Sequence, residues 1–187
     1  ATMIPQPGMF ERKLWAWANG VFHDGKFYHT NEFGMVELPT TATPSEPNAT
    51  QAKTNKTEWY YLPFMQQDRY ENERYMRHVE RENAVGFDTW ARLFANVYGD
   101  EKAIVGIGFA IIAAYRDLIF EAAGCTPMLF LSGQKSSGKG SMANSLLHLF
   151  GPPAPQFMLG GKSTAVAMIR TLSQRQNAIV WFDEYKN

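Results

Sequence analysis

The chain has 187 residues with 18 basic and 18 acidic side chains, so it is not a polycation that holds nucleic acid by bulk charge. Hydrophobic residues make up 45% and charged residues 19%, which suits one or two small globular domains. A single cysteine, Cys125, excludes an internal disulfide and favours a reducing, cytoplasmic compartment. The longest apolar run, Ala103 to Tyr115, is too short to span a bilayer, so we expect a buried helix and no membrane partner.

The first 64 residues are predicted to form a β-rich region. Asp24-Gly25 lies between two apolar runs, and this pair favours a two-residue hairpin because both residues accept positive φ. Further strands are predicted at 14–17, 33–38 and 58–64, and a Thr-, Pro- and Asn-rich loop at 40–57.

Residues 65–124 are predicted to be helical. Charges of both signs at 66–83 indicate a solvated helix. Two more helices follow, with Asp88 and Asp100 as N-caps and ends at Gly99 and Gly124. The second of these is apolar nearly all round, which predicts deep packing.

A phosphate-binding loop is predicted after a short apolar run, Met128–Leu131, which has the pattern of a buried parallel strand. The pattern G-x-x-x-x-G-K follows at once, from Gly133 to Lys139. Apolar residues at helical spacing come next, at Met142, Leu146 and Leu149. A strand, this loop and a helix in that order form the context that indicates a P-loop.

The residue types suit a polyphosphate ligand. Glycines let the backbone turn sharply and direct successive N–H groups inward, and the following helix adds free N–H groups and the positive end of its dipole. Lys139 adds a full charge toward the β and γ phosphates, which gives it a catalytic as well as a binding role. The predicted nucleotide-binding residues are Gly133, Ser136, Ser137, Gly138, Lys139, Gly140 and Ser141.

The position after Lys139 departs from the usual P-loop. Gly140 stands where a Ser or Thr hydroxyl usually binds Mg²⁺, and Ser141 follows one residue later. The Gly-Lys-Gly-Ser order resembles the P-loop of adenylate kinases. We therefore expect Ser141 to be the hydroxyl ligand of the metal.

A second motif runs from Asn177 to Glu184, where an apolar run ends in Asp183-Glu184 and resembles a Walker B strand. In open α/β folds the carboxyl ends of the strands carry such acids to the ligand crevice. Asp183 is the predicted Mg²⁺ ligand, and Glu184 the catalytic residue that orients and deprotonates the attacking water. The motif is common by chance alone, but it is specific when it follows a P-loop.

The segment at 160–164 is not a second P-loop, because Gln156 stands where the first glycine belongs. Ser163 or Thr164 instead predicts the cap of a helix. That helix would present an apolar stripe of Ala165, Met168, Ile169 and Leu172. The four histidines and Cys125 show no zinc-ligand spacing.

Over residues 125–187 these motifs are similar to helicase-like ATPases of phages, plasmids and mobile elements, with superfamily III helicases and primase-helicases the nearest group. The resemblance implies an α/β P-loop NTPase core after a small β-rich region and a helical segment. It also implies ATP and Mg²⁺ as cofactors, single-stranded DNA as a partner and a hexameric homo-oligomer. It further predicts that the parallel sheet is partial, cut off after the Walker B strand, with the sensor and arginine finger in later polypeptide.

Two alternatives remain open at the level of sequence. The first is a nucleotide kinase, suggested by Gly138-Lys139-Gly140-Ser141. About 130 residues before the loop and the Asp-Glu strand oppose it. The second is a module in which bound nucleotide holds an assembly together without turnover.

Overall fold

Strands and helices are mixed in this chain, as a computed structural model describes it. The described residues are 1–4, 8–11, 14–39, 57–62, 76–78, 82, 84–151, 157–158, 164–173 and 176–183. The strands are β1 Thr2–Met3, β2 Gly8–Phe10, β3 Leu14–Trp17, β4 Gly20–His23, β5 Lys26–His29, β6 Met35–Pro39, β7 Thr57–Tyr61, β8 Phe157–Met158 and β9 Phe182–Asp183. The helices are α1 Phe87–Tyr98, α2 Asp100–Ala114, α3 Arg116–Ala123, α4 Lys139–Leu147 and α5 Ala165–Ser173, and a 3₁₀ turn, His148–Phe150, follows α4.

The strands form three sheets. Strands β2, β3, β4 and β5 form an antiparallel meander. In the second sheet β7 lies between β6, to which it is antiparallel, and β1, to which it is parallel. Far along the chain, β8 and β9 make a short parallel pair.

The predicted hairpin is confirmed. His23 pairs with Lys26, so Asp24 and Gly25 are the two turn residues, with φ of 47° and 77°. Positive φ at both positions is the geometry that matches the twist of the flanking strands. The predicted strands at 33–38 and 58–64 are also present, as β6 and β7. They pair with each other and not with the hairpin, because the second sheet covers the apolar face of the first.

The meander is the middle layer of this region. Leu14, Ala16 and Val21 on one face are buried against the second sheet, in a core that also holds Val36 and Leu62. The opposite face of β3 carries Trp15 and Trp17, which pack against a second core formed by the helices. The ring centroids of Trp15 and Phe150 are 6.4 Å apart, so the sheet region and the helical region share an interface.

The helix ends differ from the predicted caps. Gly86 and Gly99 occupy the N-cap positions of α1 and α2, and neither helix has a side-chain cap. The predictions for Asp88 and Asp100 are therefore wrong: both residues lie within the first turn. Their carboxylates still face the positive end of the helix dipole there. The predicted helix ends at Gly99 and Gly124 are confirmed.

The predicted helix from Asp100 to Ala123 is wrong as a single element. It breaks at Tyr115, where α2 and α3 meet at an angle of 89°. Together the two match the length and composition of a membrane span, but no single helix in the described ranges is long and apolar enough to cross a bilayer.

The prediction of deep packing for α2 is also wrong. This helix buries Ala103, Gly106, Ala110 and Ala113, whereas Ile104 is 71% exposed. The face that carries the small residues is the buried one, because α2 approaches its neighbouring helices closely there. A Cβ built on Gly106 would lie 3.0 Å from Met142 Cε and 3.4 Å from the Phe94 ring.

Two predicted segments fall largely outside the described residues: the loop at 40–57, except Thr57, and most of the charged helix at 66–83. Residues 76–78, which are described, are not helical. Their position is fixed by Asn19, whose Nδ2 donates to the His78 carbonyl at 2.7 Å and whose Oδ1 accepts from the His78 N–H at 2.8 Å.

Gly8→Ala should destabilise the protein. A Cβ at Gly8 would collide with the carbonyl oxygen of Gln176, and its φ of 130° is strained for any L side chain. We expect the free energy of unfolding to fall by about 1–3 kcal/mol, measured as a lower urea midpoint. Gly108→Ala in α2 is the matched control, since a Cβ there meets nothing within 4 Å. It should leave stability equal or raise it by about 0.5–1 kcal/mol. Equal midpoints for the two variants would contradict the packing of β2 on residue 176.

Candidate functional site

The loop at 133–138 is tightly turned. Three of its six residues have positive φ: Gly133 at 150°, Ser136 at 64° and Gly138 at 86°. The left-handed region costs a non-glycine residue about 1–2 kcal/mol, so Ser136 is held there by its surroundings. Within the loop the Ser137 N–H donates to the Gln134 carbonyl at 3.3 Å. The loop therefore reverses the chain direction and leads directly into α4.

Helix α4 presents its N-terminus to this loop. Gly138 is the N-cap in the left-handed conformation, and Lys139 is the first helical residue. The Met142 N–H donates to the Gly138 carbonyl at 2.9 Å, which closes the first turn. The N–H groups before it have no partner within the helix, and the helix dipole makes this end partly positive. The predicted helix after the loop is confirmed, with Leu149 in the 3₁₀ turn beyond it.

The Lys139 side chain folds back over the loop. Its Nζ donates to the Gly133 carbonyl at 2.8 Å, to the Gln134 carbonyl at 2.6 Å and to Ser137 Oγ at 3.3 Å. All three protons of the ammonium group are used, so its position is well defined. The arrangement places a full positive charge beside the turn, next to the helix N-terminus.

The predicted strand at Met128–Leu131 is wrong. None of these residues is assigned to a strand, and Met128 and Phe130 are 93% and 74% exposed. A strand needs a hydrogen-bonded neighbour, and no pairing to this segment exists among the described residues. Leu129 and Leu131 nevertheless pack against the helical core, so alternate residues of the run are partly buried.

The described part of the second motif, residues 177–183, is called the acidic segment and lies beside the start of α4. Ile179 is buried in the helical core. Trp181, two residues later, is partly buried and packs against the same core. A Cβ built on Gly140 would be 3.6 Å from Trp181 Cη2, so the indole covers the first turn of α4 at this residue. The strand predicted over 177–184 is confirmed only as β9, in which Asp183 pairs with Met158.

The predicted site residues are thus partly brought together. Gly133, Ser136, Ser137, Gly138 and Lys139 form one turn. Gly140 contacts the acidic segment, and Ser141 is exposed on the first turn of α4. Asp183 is half-buried at the end of that segment, and Glu184 lies outside the described residues. In the described ranges no three His, Cys, Asp or Glu side chains cluster as ligands of a metal.

Asn177, the first residue of the second motif, has a structural role that the sequence pattern did not predict. It is 3% exposed, has φ of 57° and donates from Nδ2 to Asp117 Oδ1 at 2.8 Å. This bond ties the start of the acidic segment to α3. Asn is one of the few residues that tolerate the left-handed conformation, so an Asn before an apolar run is a usable sequence signal for such a turn.

The cap of α5 is as predicted. Thr164 Oγ1 accepts a hydrogen bond from the Ala167 N–H at 3.2 Å, and Ser163, the alternative cap, lies outside the described residues. The apolar stripe of α5 is mostly uncovered, with Ile169 66% and Leu172 47% exposed.

No protein-family model, no curated protein and no solved structure matches this chain. The candidate site therefore rests on its own residues and geometry.

Asp117→Ala should weaken the anchoring of the acidic segment. The buried Asn177 amide would lose its acceptor, and we expect unfolding to become easier by about 1–3 kcal/mol. Thermal or urea unfolding measures the change. Glu101→Ala, an exposed acidic change in the first turn of α2, is the control and should shift stability by less than about 0.5 kcal/mol. A loss no larger than that of the control would show that the Asp117–Asn177 bond does not hold the segment.

Proposed function

We propose that this chain contains a P-loop NTPase core that binds ATP with Mg²⁺ and hydrolyses it to drive a motor on single-stranded DNA. The observation that carries the proposal is the turn at 133–138, which has three positive φ angles, opens α4 and holds the Lys139 ammonium above it. Backbone donors, a helix N-terminus and a lysine within one turn are the groups that bind polyphosphate.

The chemistry of phosphate binding follows from these groups. The ammonium of Lys139 is held by two carbonyl oxygens and a hydroxyl, all neutral acceptors. A phosphate oxygen carries negative charge and forms stronger, charge-assisted hydrogen bonds with the same donor. The flexible lysine stem can therefore exchange its loop acceptors for a phosphate.

The residues present fit a magnesium ion. Mg²⁺ is held by one or two oxygen ligands from the protein together with phosphate oxygens and water. The contact between Trp181 and Gly140 brings the acidic segment to the helix turn that carries Ser141, and Asp183 lies two residues beyond Trp181. Ser141 and Asp183 would hold the ion, which when bound neutralises charge on the phosphates.

Glu184 is proposed as the residue that orients and deprotonates the attacking water. It directly follows Asp183 in the sequence, and the resemblance of this motif to a Walker B strand assigns the first carboxylate to the metal and the second to the water. A water-activating carboxylate contributes typically 10²–10⁴ in rate.

The DNA-motor part of the proposal comes from the resemblance of residues 125–187 to superfamily III helicases and primase-helicases. That resemblance also supplies the proposed hexamer and the replication of a phage or mobile element. From Leu131 onward the chain has 6 basic and 2 acidic residues, which favours polyanionic ligands at this end. A cytoplasmic location stays a prediction from the single cysteine.

A nucleotide kinase is the second candidate, favoured by one observation. Gly140, as in adenylate kinases, follows the lysine, and the Trp181 indole lies against it. Phosphate transfer from ATP to a nucleoside monophosphate, without stimulation by DNA, would identify this activity instead.

Lys139→Ala should strongly weaken ATP binding by the full-length protein. Loss of a charged donor to phosphate weakens affinity by roughly 10- to 100-fold. Titration calorimetry with ATP and Mg²⁺ measures it, alongside steady-state ATPase activity with and without single-stranded DNA. Lys135→Ala is the matched control, an exposed lysine of the same loop. If both variants bind ATP like the wild type, the loop is not the phosphate site.

Glu184→Gln should separate binding from turnover. The amide keeps the size of the side chain but cannot take a proton, so ATP affinity should stay within about 3-fold and hydrolysis should fall by roughly 10²–10⁴. Single-turnover kinetics with saturating ATP measures the chemical step. Hydrolysis at the wild-type rate would show that another group activates the water.

A further inference from the structure

A row of four aromatic rings runs along α1 toward the loop. Phe87, Trp90, Phe94 and Tyr98 recur every three or four residues, and successive ring centroids lie 5.6, 5.0 and 4.7 Å apart. Trp90 Nε1 donates to Ser145 Oγ at 3.3 Å, which ties the row to α4. Phe94 is buried in the helical core. The row is thus fixed alongside the helix that follows the loop.

Tyr98, the last ring of this row, lies at the junction of the loop and α4. Its Cε1 is 3.8 Å from the position that a Cβ would occupy at Gly138. Gly138 is the N-cap of α4 and immediately precedes Lys139. The Tyr98 side chain is half-buried, with its ring packed on Phe94.

The hydroxyl of Tyr98 has no hydrogen-bond partner within the described part of the chain. It lies two bonds beyond the carbon that faces Gly138. A tyrosine whose ring is packed usually places its hydroxyl where a partner or water is available.

We propose that Tyr98 is a further nucleotide-contacting residue, whose hydroxyl donates a hydrogen bond to the nucleoside triphosphate on the loop. The acceptor is an oxygen of the bound nucleotide, on a phosphate or on the ribose. This inference rests on the proposed ATP binding. It assigns α1, which lies outside the sequence motif, a direct part in the site.

The test is Tyr98→Phe in the full-length protein, which removes the hydroxyl and keeps the ring. Calorimetric titration with ATP and Mg²⁺ should give a Kd about 2- to 10-fold weaker than that of the wild type. Tyr115→Phe is the matched control: this tyrosine is 49% exposed at the α2–α3 break, and its change should leave the Kd unaltered.

Tripolyphosphate with Mg²⁺, titrated in the same way, identifies the acceptor. If the hydroxyl donates to a phosphate, Tyr98→Phe weakens both ligands; if it donates to the ribose, the variant weakens ATP alone. An unchanged Kd for both ligands overturns the proposal.

Lys139→Ala distinguishes this failure from that of the proposed function. If Lys139→Ala binds ATP more weakly than the wild type, while Tyr98→Phe matches the wild type, the loop binds nucleotide and Tyr98 has no part in it. If the wild type binds neither ATP nor tripolyphosphate, the proposed function fails and the role of Tyr98 fails with it.

Discussion

The position of the 133–138 loop depends on the close packing of three helices around Gly106. At this residue α2 approaches both the Phe94 ring of α1 and the Met142 side chain of α4, and a Cβ would crowd both. Met142 and Leu146 are buried in the same core and anchor the N-terminal half of α4 to it. A Cβ at 106 would lie 3.0 Å from the terminal methyl of Met142, so at least that side chain would have to shift to accept a larger residue.

The β-rich region has a core of its own and also packs against the helices through one face of its meander. Its middle sheet uses one face to cover the second sheet and the other to pack Trp15 and Trp17 on the helical core. Gly8 of the same sheet lies directly against residue 176, at the beginning of the acidic segment. These contacts give the first strands a role in positioning residues that are far away in sequence.

The acidic segment is placed by three kinds of contact along its length. The Asn177–Asp117 hydrogen bond holds its start, burial of Ile179 holds its middle, and the Trp181 indole sits on Gly140. A Cβ at Gly140 would make an ordinary van der Waals contact with this ring, 3.6 Å from Trp181 Cη2, so the contact does not by itself require glycine after Lys139. A hydroxyl for a metal would come from Ser141 on the same turn, as the proposed function requires.

The sequence by itself determined the features that depend on a few neighbouring residues. The Asp24-Gly25 hairpin, the helix ends at Gly99 and Gly124, the Thr164 cap and the helix after Lys139 follow from local φ preferences and hydrogen bonds. The same local rules predict the turn at 133–138. Tertiary structure decided which surfaces are buried and which strands pair. Contacts between distant segments decide the exposure of Met128 and Ile104, the break at Tyr115 and the pairing of β6 with β7. They also place Tyr98 beside Gly138 and Trp181 beside Gly140. Those contacts are set by how layers fit together, and the spacing of residues along one element does not contain that information.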